Sequence, residues 1–227
     1  MKKIVLGFAL FVSIYTAQSQ ENTMNKDWAN LKKYATENDL VKQNQSNEKP
    51  IVLLGDSITE FWKTNDPDFF SSHNLLDRGI SGQTTPQMLL RFRQDVIDLQ
   101  PSKVVILAGI NDIAENTGPI TIEAIYGNIV SMVELAKANK IKVVLCAVLP
   151  SNAFYWNPKI QPADKVIALN QMIKRYAYKN KIPYVDYYTA IVNESKGLDK
   201  KYGEDGVHPN LEGYKIMESL LVKVLNN

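Results

Sequence analysis

Four apolar residues in a row, Ile51-Val52-Leu53-Leu54, run straight into Gly55-Asp56-Ser57. A half-buried strand alternates apolar and polar residues, whereas an unbroken apolar run suits a strand covered on both faces, as in a parallel sheet. Gly55 permits a sharp turn at the end of the run. Ser57 then stands at the carboxyl end of the strand, the edge where open α/β sheets keep their sites. This one stretch constrains the rest of the chain, because parallel strands need crossovers of a dozen residues or more between them, usually helical.

The remaining sequence supplies such connections. Further strands are predicted at Leu75-Leu76, Lys103–Ala108, Lys142–Val148 and Tyr184–Asp186. Helices are predicted from Thr85 (as cap, with Pro86 at the first position) to about Leu99, from Thr121 to about Asn139, over Ala163–Lys179 and over Leu211–Val224. Asp66-Pro67-Asp68 reads as a turn. Strands alternate with helices throughout, which predicts a parallel sheet with helices on both faces and right-handed crossovers. A length of 227 residues suits one such domain.

The N-terminus has a separate character. Lys2 and Lys3 precede an apolar run from Ile4 to Ala17, and Ala17-Gln18-Ser19 offers small residues at the positions a signal peptidase reads. Residues 1–19 are expected to be a secretory signal peptide, too short for a stable membrane anchor, so the mature protein is expected to be secreted or periplasmic. Residues 20–48 are expected to form a helical extension and linker, with Trp28, Leu31 and Ala35 on one helical face packed against the domain. Residues 49–227 form the main domain. The chain carries 26 basic and 24 acidic residues. Removing the first 19, which hold two lysines and no acid, leaves the signs balanced. No clustered basic surface is apparent, so no nucleic-acid partner is expected. The single cysteine, Cys146, sits in an apolar run and is expected to be a buried small hydrophobe.

Three strand ends carry glycine with polar residues: Gly55-Asp56-Ser57, Gly79 within Asp77-Arg78-Gly79-Ile80-Ser81-Gly82, and Gly109-Ile110-Asn111-Asp112. A packed fold does not require that coincidence. Near the C-terminus, Asp205-Gly206-Val207-His208-Pro209 places an acid and a histidine on one turn. A carboxylate there can hold one ring nitrogen of His208 and leave the other free to take a proton from Ser57, a weak nucleophile without a base. The backbone N–H groups of Ser57 and Gly79 and the side-chain amide of Asn111 are candidate donors to a developing oxyanion. The chain has only one other histidine, His73, which lies in a polar stretch and is expected at the surface.

Taken together and in this order, the motifs resemble those of the SGNH hydrolases, also called the GDSL family of esterases and lipases, over roughly Pro50 to Leu225. The resemblance implies a three-layer α/β/α fold with a flavodoxin-like parallel five-stranded sheet. It implies a carboxylic ester hydrolase with no cofactor and no metal. Its signature residues fall on Ser57, Gly79, Asn111 and His208, with Asp205 as the third member of a catalytic triad. Asp77 departs from the pattern, since many members have Asn there. No G-x-S-x-G elbow of the α/β-hydrolases is present. The expected substrate is a small-molecule or glycan ester, chiefly a short acyl (acetyl) ester of a carbohydrate, with longer-chain lysophospholipids or thioesters as the runner-up.

Some features stay open in the sequence. Phe154-Tyr155-Trp156 either offers aromatic contact area to a sugar ring or acyl chain or closes the core beneath its loop. Asp56, Asp112, Asp205 and His208 could instead crowd one edge as metal ligands. That arrangement would leave the serine, glycine and asparagine without a role.

Overall fold

The computed structural model describes residues 27–44 and 48–226, so the expected signal peptide, residues 1–19, lies outside the described residues. Five strands form one sheet: β1 (Ile51–Gly55), β2 (Leu75–Gly79), β3 (Lys103–Ile106), β4 (Lys142–Cys146) and β5 (Tyr184–Val185). Their order is β2-β1-β3-β4-β5 and every pair is parallel. Val52, Leu53 and Leu54 are all buried, as an unbroken apolar run requires when both sheet faces are covered. The register sets Gly55 opposite Gly79, so the polar residues beyond both strands emerge at one edge.

Nine helices are described: α1 (Ala35–Gln43), α2 (Ser57–Asn65), α3 (Pro67–Ser72), α4 (Thr85–Asp95), α5 (Ile110–Ile113), α6 (Ile122–Ala138), α7 (Ala163–Lys179), α8 (Tyr187–Ile191) and α9 (Leu211–Leu225). On one side α4 packs on α6 and α6 on α7; on the other α2 packs on α3, β1 and β2, and α8 on α9. The second group closes around Trp62 of α2. Its indole stacks on Phe69 of α3 and Tyr214 of α9 and meets Tyr187 of α8 edge-on. The Trp62 Nε1–H donates to Glu218 at 3.1 Å. Truncating a buried aromatic of this kind costs about 3–5 kcal/mol, so this cluster fixes the helix that begins at Ser57.

Four local expectations change. The N-terminal extension is not one helix with Trp28, Leu31 and Ala35 on its inner face. Residues 31–34 are turns, α1 begins at Ala35, and Trp28 and Leu31 are exposed, while Ala29, Tyr34 and Asn38 face inward. Asp66-Pro67-Asp68 does not merely turn the chain. Asp66 caps α3 by accepting from Phe69 N–H, with Pro67 at the first helical position. Thr84, not Thr85, caps α4, and its own N–H is taken by the Gln87 side chain. His73 is half-buried, closing α3 with its ring 4.6 Å from Phe69. Cys146 is buried as expected, and burial pushes its thiol up to about 12.

Candidate active site

Ser57 is the first residue of α2. Asp56 caps that helix, its Oδ1 accepting from Ile58 N–H at 3.0 Å, so the Ser57 hydroxyl is left for other partners. Ser57 Oγ lies 2.9 Å from His208 Nε2, and His208 Nδ1 lies 2.7 Å from Asp205 Oδ2. The other Asp205 oxygen accepts from the backbone N–H of Val207 at 2.9 Å and of His208 at 2.7 Å. The Asp205–His208 loop is thus closed on a single carboxylate. Burial pushes that carboxyl upward, but the bonds from His208 and Val207 outweigh it and hold Asp205 below its ordinary range. An ionised Asp205 assigns the ring proton to Nδ1 and turns the Nε2 lone pair toward Ser57. The Phe61 ring, one turn along α2 from Ser57, lies 5.2 Å from the imidazole.

The opposite wall corrects one expectation. Gly79 N–H does not face the groove, because it donates to Asp77 Oδ1 at 2.7 Å. The Gly79 carbonyl accepts from the Tyr34 hydroxyl. A side chain here would put its Cβ 2.3 Å from Glu60 N and 2.7 Å from Asp56 O. Gly79 is therefore required by the close approach of β2 to the first turn of α2. The glycine that lines the groove is Gly82, three residues on, in a left-handed conformation (φ +76°) with open space around it. Among the described residues, neither Ser57 N–H nor Gly82 N–H has a hydrogen-bond partner. Asn111 also lines the groove. Its Nδ2 gives one hydrogen to Gln83 O at 3.1 Å, and the second remains for a ligand. The signal for Gly82 was present in the sequence as the second glycine of Gly79-Ile80-Ser81-Gly82, but only the backbone distinguishes the two.

The loop that carries Gly82 is held from two directions. Glu60 of α2 accepts from Ser81 N–H and Ser81 Oγ–H, both at 2.7 Å, and pairs with Lys33 at 2.6 Å. Burial pushes the Glu60 carboxyl up, and these three donations bring it below its usual range. The buried Arg91 donates to the Gln83 side chain, to Asp95 at 3.1 Å and to Gly55 O at 2.9 Å. Gln83 Nε2 donates in turn to Ala29 O at 2.7 Å, and Asn38 donates to Asp95 at 2.6 Å. The extension before β1 is therefore bonded to the loop beside Ser57.

The groove holds about 450 Å³ and is lined by Phe61, Ser81, Gly82, Asn116, Tyr155 and Trp156, besides Ser57, Asn111, Asp205 and His208. The aromatic loop divides in function. Phe154 is buried and closes the core, whereas Tyr155 and Trp156 stand exposed over the groove. A second cavity, of about 280 Å³, lies where β1 and β2 begin, between Leu40, Val41, Pro50 and Leu76, far from any nucleophile–base pair. Asp112 is turned away from the groove and accepts from Thr85 N–H and Thr85 Oγ–H at 2.6–3.0 Å. Burial raises both Asp112 and Asp56, the latter to about 7, against the opposing pull of their hydrogen bonds. Among the described residues no three of His, Cys, Asp and Glu are grouped to hold a metal ion. The carboxylates that sequence alone could crowd together each serve a different partner.

The family described as GDSL-like Lipase/Acylhydrolase matches residues 53–216, from β1 into α9. The chain belongs to that family. Its fold, the five-stranded parallel sheet between helices, is the fold of these hydrolases, and the chain is an acylhydrolase of the esterase type. The GDSL-like lipase of Bacteroides thetaiotaomicron VPI-5482 is 52% identical, with a TM-score of 0.85 over 87% of this chain and 98% of that one. The isoamyl acetate-hydrolyzing esterase of Saccharomyces cerevisiae is 23% identical over 77% of this chain and 84% of its own length. The uncharacterized lipoprotein YqeF of Bacillus subtilis is 34% identical over 80 residues, which is 34% of this chain and a third, 33%, of that protein.

Proposed function

We propose that this acylhydrolase is a secreted or periplasmic serine esterase that removes short acyl groups, chiefly acetyl, from carbohydrate esters. The observation that carries the reading is the pair of contacts from Ser57 Oγ to His208 Nε2 at 2.9 Å and from His208 Nδ1 to Asp205 at 2.7 Å. His208 takes the hydroxyl proton as Ser57 Oγ bonds to the ester carbonyl carbon. The carbonyl oxygen becomes an oxyanion, held by Ser57 N–H, Gly82 N–H and the free Nδ2 hydrogen of Asn111. When the intermediate collapses, the carbon–oxygen bond to the alcohol breaks, and His208 gives the proton to that oxygen. Water, deprotonated by His208, then releases the acid and restores Ser57. Asp205 holds the imidazole in the required tautomer throughout. The chain's own groups complete this cycle without a cofactor.

The alcohol side of the reading rests on the groove. Exposed Tyr155 and Trp156 offer flat faces, while Ser81, Asn111 and Asn116 offer polar edges. A pyranose ring presents that combination of faces and hydroxyls, and a lipid chain does not. The acetyl preference also draws on the yeast relative named for isoamyl acetate hydrolysis. Residues 1–19 would direct the chain across the membrane and be removed.

The test uses the mature protein and Ser57→Ala with p-nitrophenyl acetate, butyrate and octanoate, followed by acetylated xylo-oligosaccharides and lysophosphatidylcholine. Activity is expected to be highest on acetate, to extend to the acetylated sugar and to vanish in the variant. A maximum at octanoate with release of fatty acid from the lysolipid would replace the carbohydrate reading by a lipid one. Activity that survives Ser57→Ala would overturn the mechanism.

A further inference from the structure

Asn116 follows α5 at the rim of the groove, and its side chain is exposed there. All its polar capacity toward neighbours is nonetheless directed at the site. One Nδ2 hydrogen goes to Gly82 O at 3.2 Å and the other to Asn111 Oδ1 at 3.0 Å, while its Oδ1 accepts from the Trp156 indole N–H at 3.3 Å. The loop does not need this side chain for its shape. Asn116 N–H donates to Asn111 O and Gly118 N–H to Glu115 O, so the backbone closes the turn by itself.

We propose that Asn116 is a positioning residue that orients both oxyanion donors and couples them to the aromatic loop over the substrate; the proposal rests on the assignment of Gly82 and Asn111 as those donors. An asparagine amide can be reversed end for end, and only its partners decide which end faces the groove. With Asn116 donating to Asn111 Oδ1 and Gln83 O accepting from Asn111 Nδ2, the reversed amide would set N–H against N–H and carbonyl against carbonyl. The orientation that turns a free N–H toward Ser57 is thereby selected. The bond to Gly82 O fixes the next peptide of the left-handed turn, so the Gly82 N–H holds its direction before substrate arrives, which is what preorganised oxyanion stabilisation requires. Because Trp156 donates to the same asparagine, a ring packed against Trp156 tightens the chain Trp156–Asn116–Asn111/Gly82. A substrate that fills the alcohol side of the groove therefore improves the donors on the acyl side.

Three variants of the mature protein test this. Asn116→Asp keeps the shape and the acceptor for Trp156 but cannot make the two donations. Asn116→Ala removes all three bonds. Trp156→Phe keeps the aromatic face and removes only the indole donor. On p-nitrophenyl acetate, Asn116→Asp and Asn116→Ala are expected to lose about 10- to 100-fold in kcat, with KM changed by less than about threefold, a loss below that of a whole oxyanion donor. Their rate of inactivation by diethyl p-nitrophenyl phosphate, which needs the same donors, should fall in parallel. Trp156→Phe should lose a few-fold in kcat on the same small ester. Combining Asn116→Asp with Asn111→Ala should cost less than the product of the two single effects, because one acts through the other. Unchanged kcat in Asn116→Asp, while Ser57→Ala is inactive, overturns the positioning role and leaves the esterase reading standing. A loss that falls wholly in KM overturns it too, making Asn116 a direct substrate contact. So does a loss matched by a lowered melting temperature. If Asn116→Asp does not fold, Trp156→Phe decides, and an unaltered kcat there removes the coupling. Activity that survives Ser57→Ala is the separate outcome that removes the esterase mechanism itself.

Discussion

On one side of Ser57 the contacts are local. Asp205 and His208 stand three residues apart, and one carboxylate closes their loop and orients the ring. On the other side, the Ser81–Gln83 loop is held by residues from across the chain. These include Ala29 of the extension, Glu60 of α2, Arg91 of α4 and Asn116 beyond α5, while Tyr34 of the extension bonds Gly79 O where β2 ends. In the mechanism we propose, the first side moves a proton and the second holds a charge. A proton carrier can sit on a short, half-exposed turn, because an imidazole needs only one partner to fix it. Donors that must point at an oxyanion before it forms need a stiff frame, and stiffness comes from buried, mutually satisfied polar groups.

The comparison predicts opposite signatures for mutations on the two sides, and the largest concerns His208. Replacing it by alanine should lower kcat by at least about a thousandfold and leave the melting temperature nearly unchanged, since the ring is partly exposed. A calorimetric scan beside the rate on p-nitrophenyl acetate reads both. A large drop in stability would erase the contrast between the two sides.

The next effect separates the two glycines. Gly79→Ala brings a Cβ to 2.3 Å from Glu60 N, backbone that no side-chain rotation relieves. The strain should cost about 1–3 kcal/mol, or roughly 2–12 °C in melting temperature for a domain of this size. Gly82→Ala meets nothing nearer than 3.9 Å, the Asn116 Nδ2, and costs only its positive φ, about 1–2 kcal/mol. Its signature should be a loss of kcat larger than its loss of stability. A Gly79→Ala protein that melts normally yet loses kcat would return the donor role to Gly79.

A smaller effect tests whether the extension belongs to the frame. Tyr34→Phe removes the hydroxyl whose single hydrogen is shared between Gly79 O and Asp77 Oδ2, the latter at 3.1 Å, leaving both buried acceptors without it. The expected cost is about 1–3 kcal/mol in denaturant unfolding, the penalty of unsatisfied buried groups. The change in kcat should stay within about threefold, because Glu60 and Arg91 still hold the loop. A tenfold kcat loss at unchanged stability would mean that the extension shapes the chemistry directly.

The same contrast explains what could be read from the sequence. The sheet was legible because each buried strand is a short unbroken apolar run, and Ile51–Leu54 needs no partner to be recognised. Ser57, Asp205 and His208 could be grouped from the sequence because residue type suggests a shared chemistry and the acid–base pair is local, and the structure brings the three together. Gly79 and Gly82 were not separable, since both are glycines beyond one strand and only the approach of α2 shows that the first is there for packing. Trp28 and Leu31 suggested an inward helical face by their spacing, but a spacing has no meaning until a helix exists, and the chain turns until Tyr34. Asn116 gave no signal at all. An exposed asparagine in a loop becomes informative only when its three partners are seen. Long-range polar frames leave little trace in a sequence because each member is ordinary alone.

The smallest expected effect is a dependence on pH, and it concerns Asp77 of β2. Asp77 is buried beneath Tyr34, and burial raises its carboxyl to about 6 despite the bonds from Gly79 N–H and Tyr34. In the unfolded chain an aspartate ionises near its reference value of about 3.9. Between those values the folded protein holds a proton that the unfolded chain has released, so stability falls as pH rises through that window. Above about pH 6 both states are ionised at this position and the loss is complete. Asn at position 77 can still accept from Gly79 N–H but carries no charge to desolvate. The stability of Asp77→Asn relative to the unmodified protein should therefore rise by about 1–3 kcal/mol between pH 4 and pH 7 and then level off. Urea unfolding at several pH values measures it. A difference that is flat across that range would mean that Asp77 stays ionised when buried, held by Tyr34, and that one more charge joins the Glu60–Lys33 and Arg91–Asp95 pairs on this side of the groove.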